Sequence, residues 1–143
     1  MEEKYGVLVI AYKPVEKGHR VAVLKRSKGW EGWELVKGGK KDGETVEEAA
    51  ERETCEEIGI DPEKVKPIGE KVGWEYEKDE KKYRVEAEIC VAKVSNDARI
   101  SIEDNPHEEH SKGFFFNYRD AKGLLTYEEQ EKALEKVWNR IEK

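Results

Sequence analysis

Between Gly38 and Ile60 the chain reads GGKKDGETVEEAAERETCEEIGI, a stretch crowded with Glu47, Glu48, Glu51, Glu53, Glu56 and Glu57. On a helix, like charges three or four positions apart repel by roughly 0.2–0.5 kcal/mol per pair. At about 100° per residue the carboxylates divide into two groups. Glu53, Glu56 and Glu57 share a side with Val46, Ala49 and Ala50, while Glu47, Glu48 and Glu51 suit a solvated face. A carboxylate turned toward a protein interior is costly unless it is paired. Arg52 alone cannot balance three of them, but a divalent cation can. Hard oxygen donors at helical spacing select Mg2+ or Mn2+ over zinc.

The element that must carry these groups has clear ends. Thr45 followed by Glu48 predicts a capping box, in which each side chain satisfies an N–H of the first turn. Gly59 stands where a left-handed residue stops a helix, and Asp61-Pro62 blocks its continuation.

Taken together, these residues resemble the Nudix box: Gly38, then Glu44, then Arg52-Glu53, Glu56-Glu57, Gly59 and the aliphatic Ile60. Thr54 departs from the pattern, standing where the family usually has an aliphatic residue. The resemblance implies a mixed central sheet sandwiched between helices, with the box as a loop–helix–loop. It also implies a Mg2+- or Mn2+-dependent hydrolase that cuts a nucleoside diphosphate linked to another group. Carried over, Glu53, Glu56 and Glu57 are metal ligands, with the backbone carbonyl of Lys37 as a further one. Glu53 is also the candidate base for the attacking water, and Glu44 and Arg52 orient the loop and the helix. Nudix enzymes often add a carboxylate from a loop before a late strand. Of Glu108 and Glu109, Glu109 is preferred, because "EEH" resembles the "HEH" segment of diadenosine tetraphosphate hydrolases.

Such chemistry needs cations near the phosphates. Lys37, Lys40 and Lys41, with Lys25 and Arg26, make the most basic region near the box. Lys37 is the stronger phosphate contact, Lys40 the weaker. An adenine would need an aromatic platform, for which Trp74, Tyr76, Tyr83, Phe114 and Tyr127 are available. Most aromatics at strand or helix spacing belong to cores, so Tyr76 and Tyr127 are preferred. Trp33 suits a packing anchor and Trp30 an exposed position.

The remaining pattern supplies a scaffold. Tyr5–Lys13 is a continuous apolar run that predicts a strand buried on both faces, and Val21–Ser27 a second strand. "KGWEGWELVKGG" reads as a loop with a short extended piece at Trp33–Val36. Alternation predicts strands over Val72–Glu77 and Tyr83–Val91, joined by "EKDEKK". A long polar connection follows, with a short strand expected at Arg99–Ile102, and "FFFNY" reads as another strand. Thr126 with Glu129 predicts a second capping box. Tyr127, Leu134, Val137, Trp138 and Ile141 then form the stripe of an amphipathic helix. The expected fold is one α/β (α+β) domain over residues 1–143.

Composition narrows the partners. A net charge of −6 argues against general nucleic-acid binding. Cys55 and Cys90 lack zinc-site or disulfide spacing. No apolar run suits a membrane span, and no signal-peptide core is present, so a cytoplasmic monomer or weak dimer is expected. "WELVKGGKKDGE", with Val36 in place of a proline, resembles the lead-in of dinucleoside and diphosphoinositol polyphosphate hydrolases. "DAKGLLTYEEQEKALEKV" resembles the C-terminal helix entry of asymmetrical diadenosine tetraphosphate hydrolases. The expected reaction is cleavage of diadenosine tetraphosphate to ATP and AMP. ADP-ribose, a nucleoside triphosphate or a diphosphoinositol polyphosphate are the alternative substrates. A non-catalytic nucleotide-sensing module would be expected to carry a degraded box, and this one is intact.

Overall fold

The computed structural model describes residues 1–28, 31–102 and 110–141. The elements run β1 (Glu2–Pro14), β2 (His19–Arg26), β3 (Gly32–Glu34), β4 (Val36–Gly39), α1 (Val46–Ile58), β5 (Lys64–Lys78), β6 (Lys81–Lys93), β7 (His110–Phe116), α2 (Tyr118–Leu124) and α3 (Glu128–Ile141). The strands form one mixed sheet. β1 lies at its centre and pairs in parallel with β6 from Glu2↔Tyr83 to Tyr12↔Lys93. Its other edge is shared, with Gly6–Val9 bonded to β4 and Tyr12–Pro14 bonded to β2.

The apolar run of β1 is buried on both sides, as its lack of alternation predicts. Leu8 and Ile10 join the core under α2 and α3 with Leu134, Val137 and Trp138. Val7, Val9 and Ala11 join the core under α1 with Ala49, Ala50 and Ile58. Helices therefore cover both faces of the sheet. Among the described residues, no helix is long and apolar enough to cross a membrane.

Several local expectations change. The lead-in to the box is a strand, β4, because its backbone groups find partners on β1. Arg99–Ile102 forms no strand. Instead Ser101 N–H donates to the Ile58 carbonyl (2.8 Å), and Ile100 and Ile102 pack on the α1-side core. β7 ends at Phe116, where Asn117 caps an additional short helix, α2, that begins at Tyr118. The capping box expected at Thr126 is replaced by a tertiary contact. Thr126 Oγ1 accepts from Trp33 N–H (2.8 Å), and Thr126 N–H donates to the Trp33 carbonyl (3.1 Å). This contact ties the start of α3 to β3. In "EKDEKK", Asp79 and Glu80 both take left-handed backbone (φ 52° and 65°), the geometry of a tight two-residue hairpin turn.

Candidate functional site

α1 forms as its end signals predict. Thr45 accepts from Glu48 N–H (3.1 Å) while Glu48 accepts from Thr45 N–H (2.9 Å). Gly59 closes the helix in left-handed backbone (φ 68°), its N–H donating to the Cys55 carbonyl (3.0 Å). Glu47, Glu48 and Glu51 are exposed, Glu56 is half-buried, and Glu53 and Glu57 are buried at 4% and 3% exposure. The division expected from helical periodicity is the one observed.

What surrounds the buried pair is specific. A side-chain carbon on Gly38 would lie 2.1 Å from the Glu53 carboxyl carbon and 2.3 Å from each oxygen. Only a glycine in β4 lets that carboxylate reach the strand. Arg52 organises the neighbourhood. Its Nε and Nη2 donate to Glu44 (2.7 and 3.0 Å), Nη2 also to the Gly39 carbonyl (2.7 Å), and Nη1 to Glu53 (2.7 Å) and Glu56 (3.3 Å). Glu44 in turn accepts from Lys41 N–H (2.7 Å). A bidentate guanidinium–carboxylate pair fixes direction as well as distance. Arg52 thus clamps the loop, the strand end and two box carboxylates.

Glu57 turns elsewhere. His110 Nδ1 lies 3.0 Å from its Oε2, and His110 Nε2 lies 2.7 Å from Glu34 Oε1. Glu34 is 1% exposed and is also approached by Arg26 (3.5 Å) and by Lys37 (3.6 Å). Glu34 and His110 were not among the residues expected here. Their signals were faint: a lone Glu between Trp33 and Leu35, and the last residue of the "EEH" run. They meet only because β3 and β7 both pair with β2.

The titration behaviour follows from these contacts. Burial, reinforced by Glu57 and Glu56 and opposed by Arg52, pushes the Glu53 carboxyl up to about 7. Burial opposes the charge on His110, but bonding to Glu34 and the contact with Glu57 raise it to about 9. Burial raises Glu34, yet His110, Lys37 and Arg26 bring it below the usual carboxylate range. Arg52 holds Glu44 down at about 2.

The other expected contacts scatter. Lys37 carries its Nζ 5.5 Å from the centre of the Trp74 ring, and its side chain leans on Glu34. Lys40 is exposed beyond the end of β4, its N–H donating to the Tyr5 carbonyl (2.9 Å). Burial, with a smaller contribution from the charges of Glu34 and Glu129, raises the Tyr127 hydroxyl above its ordinary range. Tyr76 is stacked on Tyr83 (5.1 Å, 21°) at the far end of the β5–β6 hairpin, with Lys4 over both rings, and is not gathered with the box. Trp33 packs edge-on against Phe116 (5.9 Å), as a packing anchor should. Glu108, Glu109 and Trp30 lie outside the described residues.

A divalent cation suits this donor set. Among the described residues the site gathers the carboxylates of Glu34, Glu44, Glu53, Glu56 and Glu57 around Arg26, Lys37, Arg52 and a protonated His110, so hard oxygen donors are concentrated in a partly buried place. The buried Glu34 Oε2 also has no hydrogen-bond donor. Among the described residues, no three His, Cys, Asp or Glu side chains already surround one point. Glu53 and Glu56 are held by Arg52, and Glu57 by His110, rather than converging on each other.

Comparison with known proteins agrees with the architecture. The NUDIX domain model matches residues 4–137. An RNA pyrophosphohydrolase from Shewanella denitrificans is 30% identical over 101 residues, 63% of this chain and 59% of that protein. The chain spans less than two thirds of the length of the curated relatives it matches first. Among solved structures, the E. coli dihydroneopterin triphosphate pyrophosphohydrolase superposes with a TM-score of 0.78 at 21% identity, covering 98% of this chain and 99% of that one. A C. elegans Ap4A hydrolase superposes at 0.72 and 24% identity, covering 94% of each chain. At these identities the structural likeness speaks to the fold.

Proposed function

The chain belongs to the NUDIX domain family, and from that premise we propose that it hydrolyses a pyrophosphate bond in a nucleoside polyphosphate, with a divalent cation. One observation carries the reading: a buried carboxylate on α1, Glu53, is admitted to β4 by Gly38 and flanked by Glu56, Glu57 and the Arg52 clamp. Glu53, Glu56 and Glu57 would hold Mg2+ or Mn2+, with the Lys37 carbonyl as a further ligand. The cation, when bound, neutralises phosphate oxygens and lowers the pKa of a bound water. Phosphoryl transfer requires positioning and charge stabilisation more than covalent help. Arg52 and Glu44 fix the start of α1 against the Gly39 carbonyl, so the carboxylates keep their place. Glu53, its carboxyl raised toward neutrality by burial, is suited to take a proton from water. Glu109 is a candidate for the extra carboxylate. Lys37 and Lys40 are the candidate phosphate contacts, and Tyr127 and Tyr76 the candidates to meet a base.

For the substrate, the lead-in "WELVKGG" and the α3 entry support diadenosine tetraphosphate, cut to ATP and AMP. A second reading, the 5′-polyphosphate end of RNA, is favoured by the relatives that carry the name RNA pyrophosphohydrolase. The deciding experiment compares kcat/KM for diadenosine tetraphosphate, ADP-ribose, nucleoside triphosphates and 5′-triphosphorylated RNA in Mg2+. Glu53→Gln and Glu57→Gln serve as controls. Wild-type turnover by both variants would sink the site assignment. A tenfold preference, about 1.4 kcal/mol of transition-state binding, decides between substrates.

A further inference from the structure

The first residues of β5 alternate across the sheet. Val65 packs on the α1-side core, so Lys64 and Lys66 rise on the α3 side. Tyr12 and Val91 pack on the core of that face, and Lys93, two residues beyond Val91, stands with them. In the ladders, Lys93 lies directly opposite Lys64 on one side and Tyr12 on the other. Arg140 and Ile141 come from the last turn of α3. Together these residues enclose a cleft of about 440 Å³, with Lys64, Lys66, Lys93, Arg140 and Tyr12 around a floor of Ile68, Val91 and Ile141. That volume is in the range of small-molecule sites. The cleft is distinct from the box. Tyr12 is five residues along β1 from Val7, the partner of Gly38, about 17 Å at strand rise, and it faces the other side of the sheet.

The charges here are arranged at a cost. Like charges directly opposite each other on a sheet are destabilising. Elsewhere in the same hairpin, lysine and arginine meet carboxylates, Lys71 with Glu86 (3.2 Å) and Arg84 with Glu75 (3.4 Å). Lys64↔Lys93 departs from this, as does Lys78↔Lys81 beside the exposed turn. The first pair differs from the second in bordering a cleft with two further cations, Lys66 and Arg140. Among the described residues, Lys64, Lys66 and Lys93 have no carboxylate within 4 Å, and one carboxylate, Glu70, serves both Lys136 (2.9 Å) and Arg140 (3.4 Å). The carbonyl end of α3 offsets only about half a charge. The chain as a whole carries a net charge of −6, so composition alone does not put a cationic cleft here. An anion seated among these side chains would offset their repulsion. One phosphate carries about 1.5–2 negative charges at pH 7, and two or more match the cluster better than one.

We propose that the cleft between the end of α3 and the β1–β6–β5 strands binds a small molecule bearing two or more phosphates, which lie among Lys64, Lys66, Lys93 and Arg140, with any apolar part on Ile68, Val91 and Ile141. Such a ligand ties the last turn of α3 to the sheet, at the end of the helix away from the Thr126–Trp33 contact. The site stands independently of the hydrolase reading.

The test is a calorimetric titration of the whole chain with inorganic tripolyphosphate in EDTA, so that no turnover intervenes. Wild type is expected to bind one molecule per chain. Lys64→Glu and Lys93→Glu should each weaken binding tenfold or more. Each also replaces a like-charged cross-strand pair by an opposite one, so the melting temperature of the free variant should be no lower than that of wild type. Lys78→Glu makes the same change of net charge and the same repair at the hairpin turn, and should bind as wild type does. Glu53→Gln should also bind normally, so a failed box and a failed cleft are told apart. Pyrophosphate and ADP arms distinguish a bare polyphosphate from a nucleotide, according to whether the nucleoside adds affinity. No binding by wild type, unchanged binding by Lys64→Glu and Lys93→Glu, an equal loss in Lys78→Glu, or sulfate bound as tightly as tripolyphosphate overturns the site.

Discussion

On one face of the sheet, α3 lays Leu134, Val137 and Trp138 against Leu8, Ile10 and Ile89. On the other, α1 sets Glu53 against Gly38 and Glu57 3.0 Å from His110. Both faces are covered by helices, but by different means. The α3 face is a matter of apolar area, with one buried amide, Gln130, accepting from Leu35 N–H (2.8 Å). The α1 face keeps Ala49, Ala50 and Ile58 as its apolar floor and fills the rest with charges that need named partners. Apolar contacts are non-directional and tolerate small displacements. Buried ion pairs tolerate neither displacement nor loss of a partner. The molecule thus stabilises itself on one side and keeps its costly groups on the other.

The comparison breaks most sharply at Glu53. Glu53→Gln is expected to lower kcat by about 10²–10⁴, the range for removal of a general base. Its melting temperature in EDTA should be no lower than wild type, because a buried charge has been removed. A large fall in melting temperature would mean that the Arg52–Glu53 pair stabilises the fold. His110→Leu strands the Glu34 and Glu57 carboxylates and should cost about 3–5 kcal/mol in denaturant unfolding. A loss under 1 kcal/mol would show that the contact is not an ion pair. On the opposite face, Leu134→Ala should cost about 2–5 kcal/mol while leaving kcat per folded molecule unchanged. A matching fall in kcat would show that the two faces are coupled. Thr45→Ala removes one cap of α1 and should cost about 1 kcal/mol, read by thermal unfolding.

The mildest perturbation is pH. Glu53, raised to about 7, and His110, raised to about 9, both favour the protonated form in the folded state. Each contributes stability that is full below its unfolded pKa and is lost as pH rises through its folded value. Metal-free protein should therefore lose stability from about pH 5 to about pH 9. Saturating Mg2+ should reverse the slope, since its ligands must be deprotonated. A flat profile in EDTA would contradict the burial of these groups.

What could be read from the sequence was what local chemistry decides. The α1 caps, the Gly59 stop and the inward turn of Glu53 and Glu57 depend on residues a few positions apart, and periodicity carried them. The unbroken apolar run of β1 announced burial on both sides. The rest needed partners far along the chain. β4 is a strand because β1 lies beside Lys37, not because "VKGG" favours extension. Thr126 has the composition of a cap, yet Trp33 takes its hydroxyl. Glu34 and His110 are unremarkable polar residues until two strands bring them 2.7 Å apart. Glu57 meets His110, a residue far along the chain, at 3.0 Å.

The parallel pairing of β1 with β6 joins residues 2–12 to residues 83–93, and that separation is also a delay. At ribosomal speeds of roughly 5–20 residues per second, β6 is made about 4–16 s after β1. For that interval the most apolar strand of the protein, Val7–Ala11, has no partner on its β6 edge. Its aggregation hazard is thus set by the clock of synthesis, and slowing translation between β1 and β6 should lower the soluble yield even though the finished fold is unchanged.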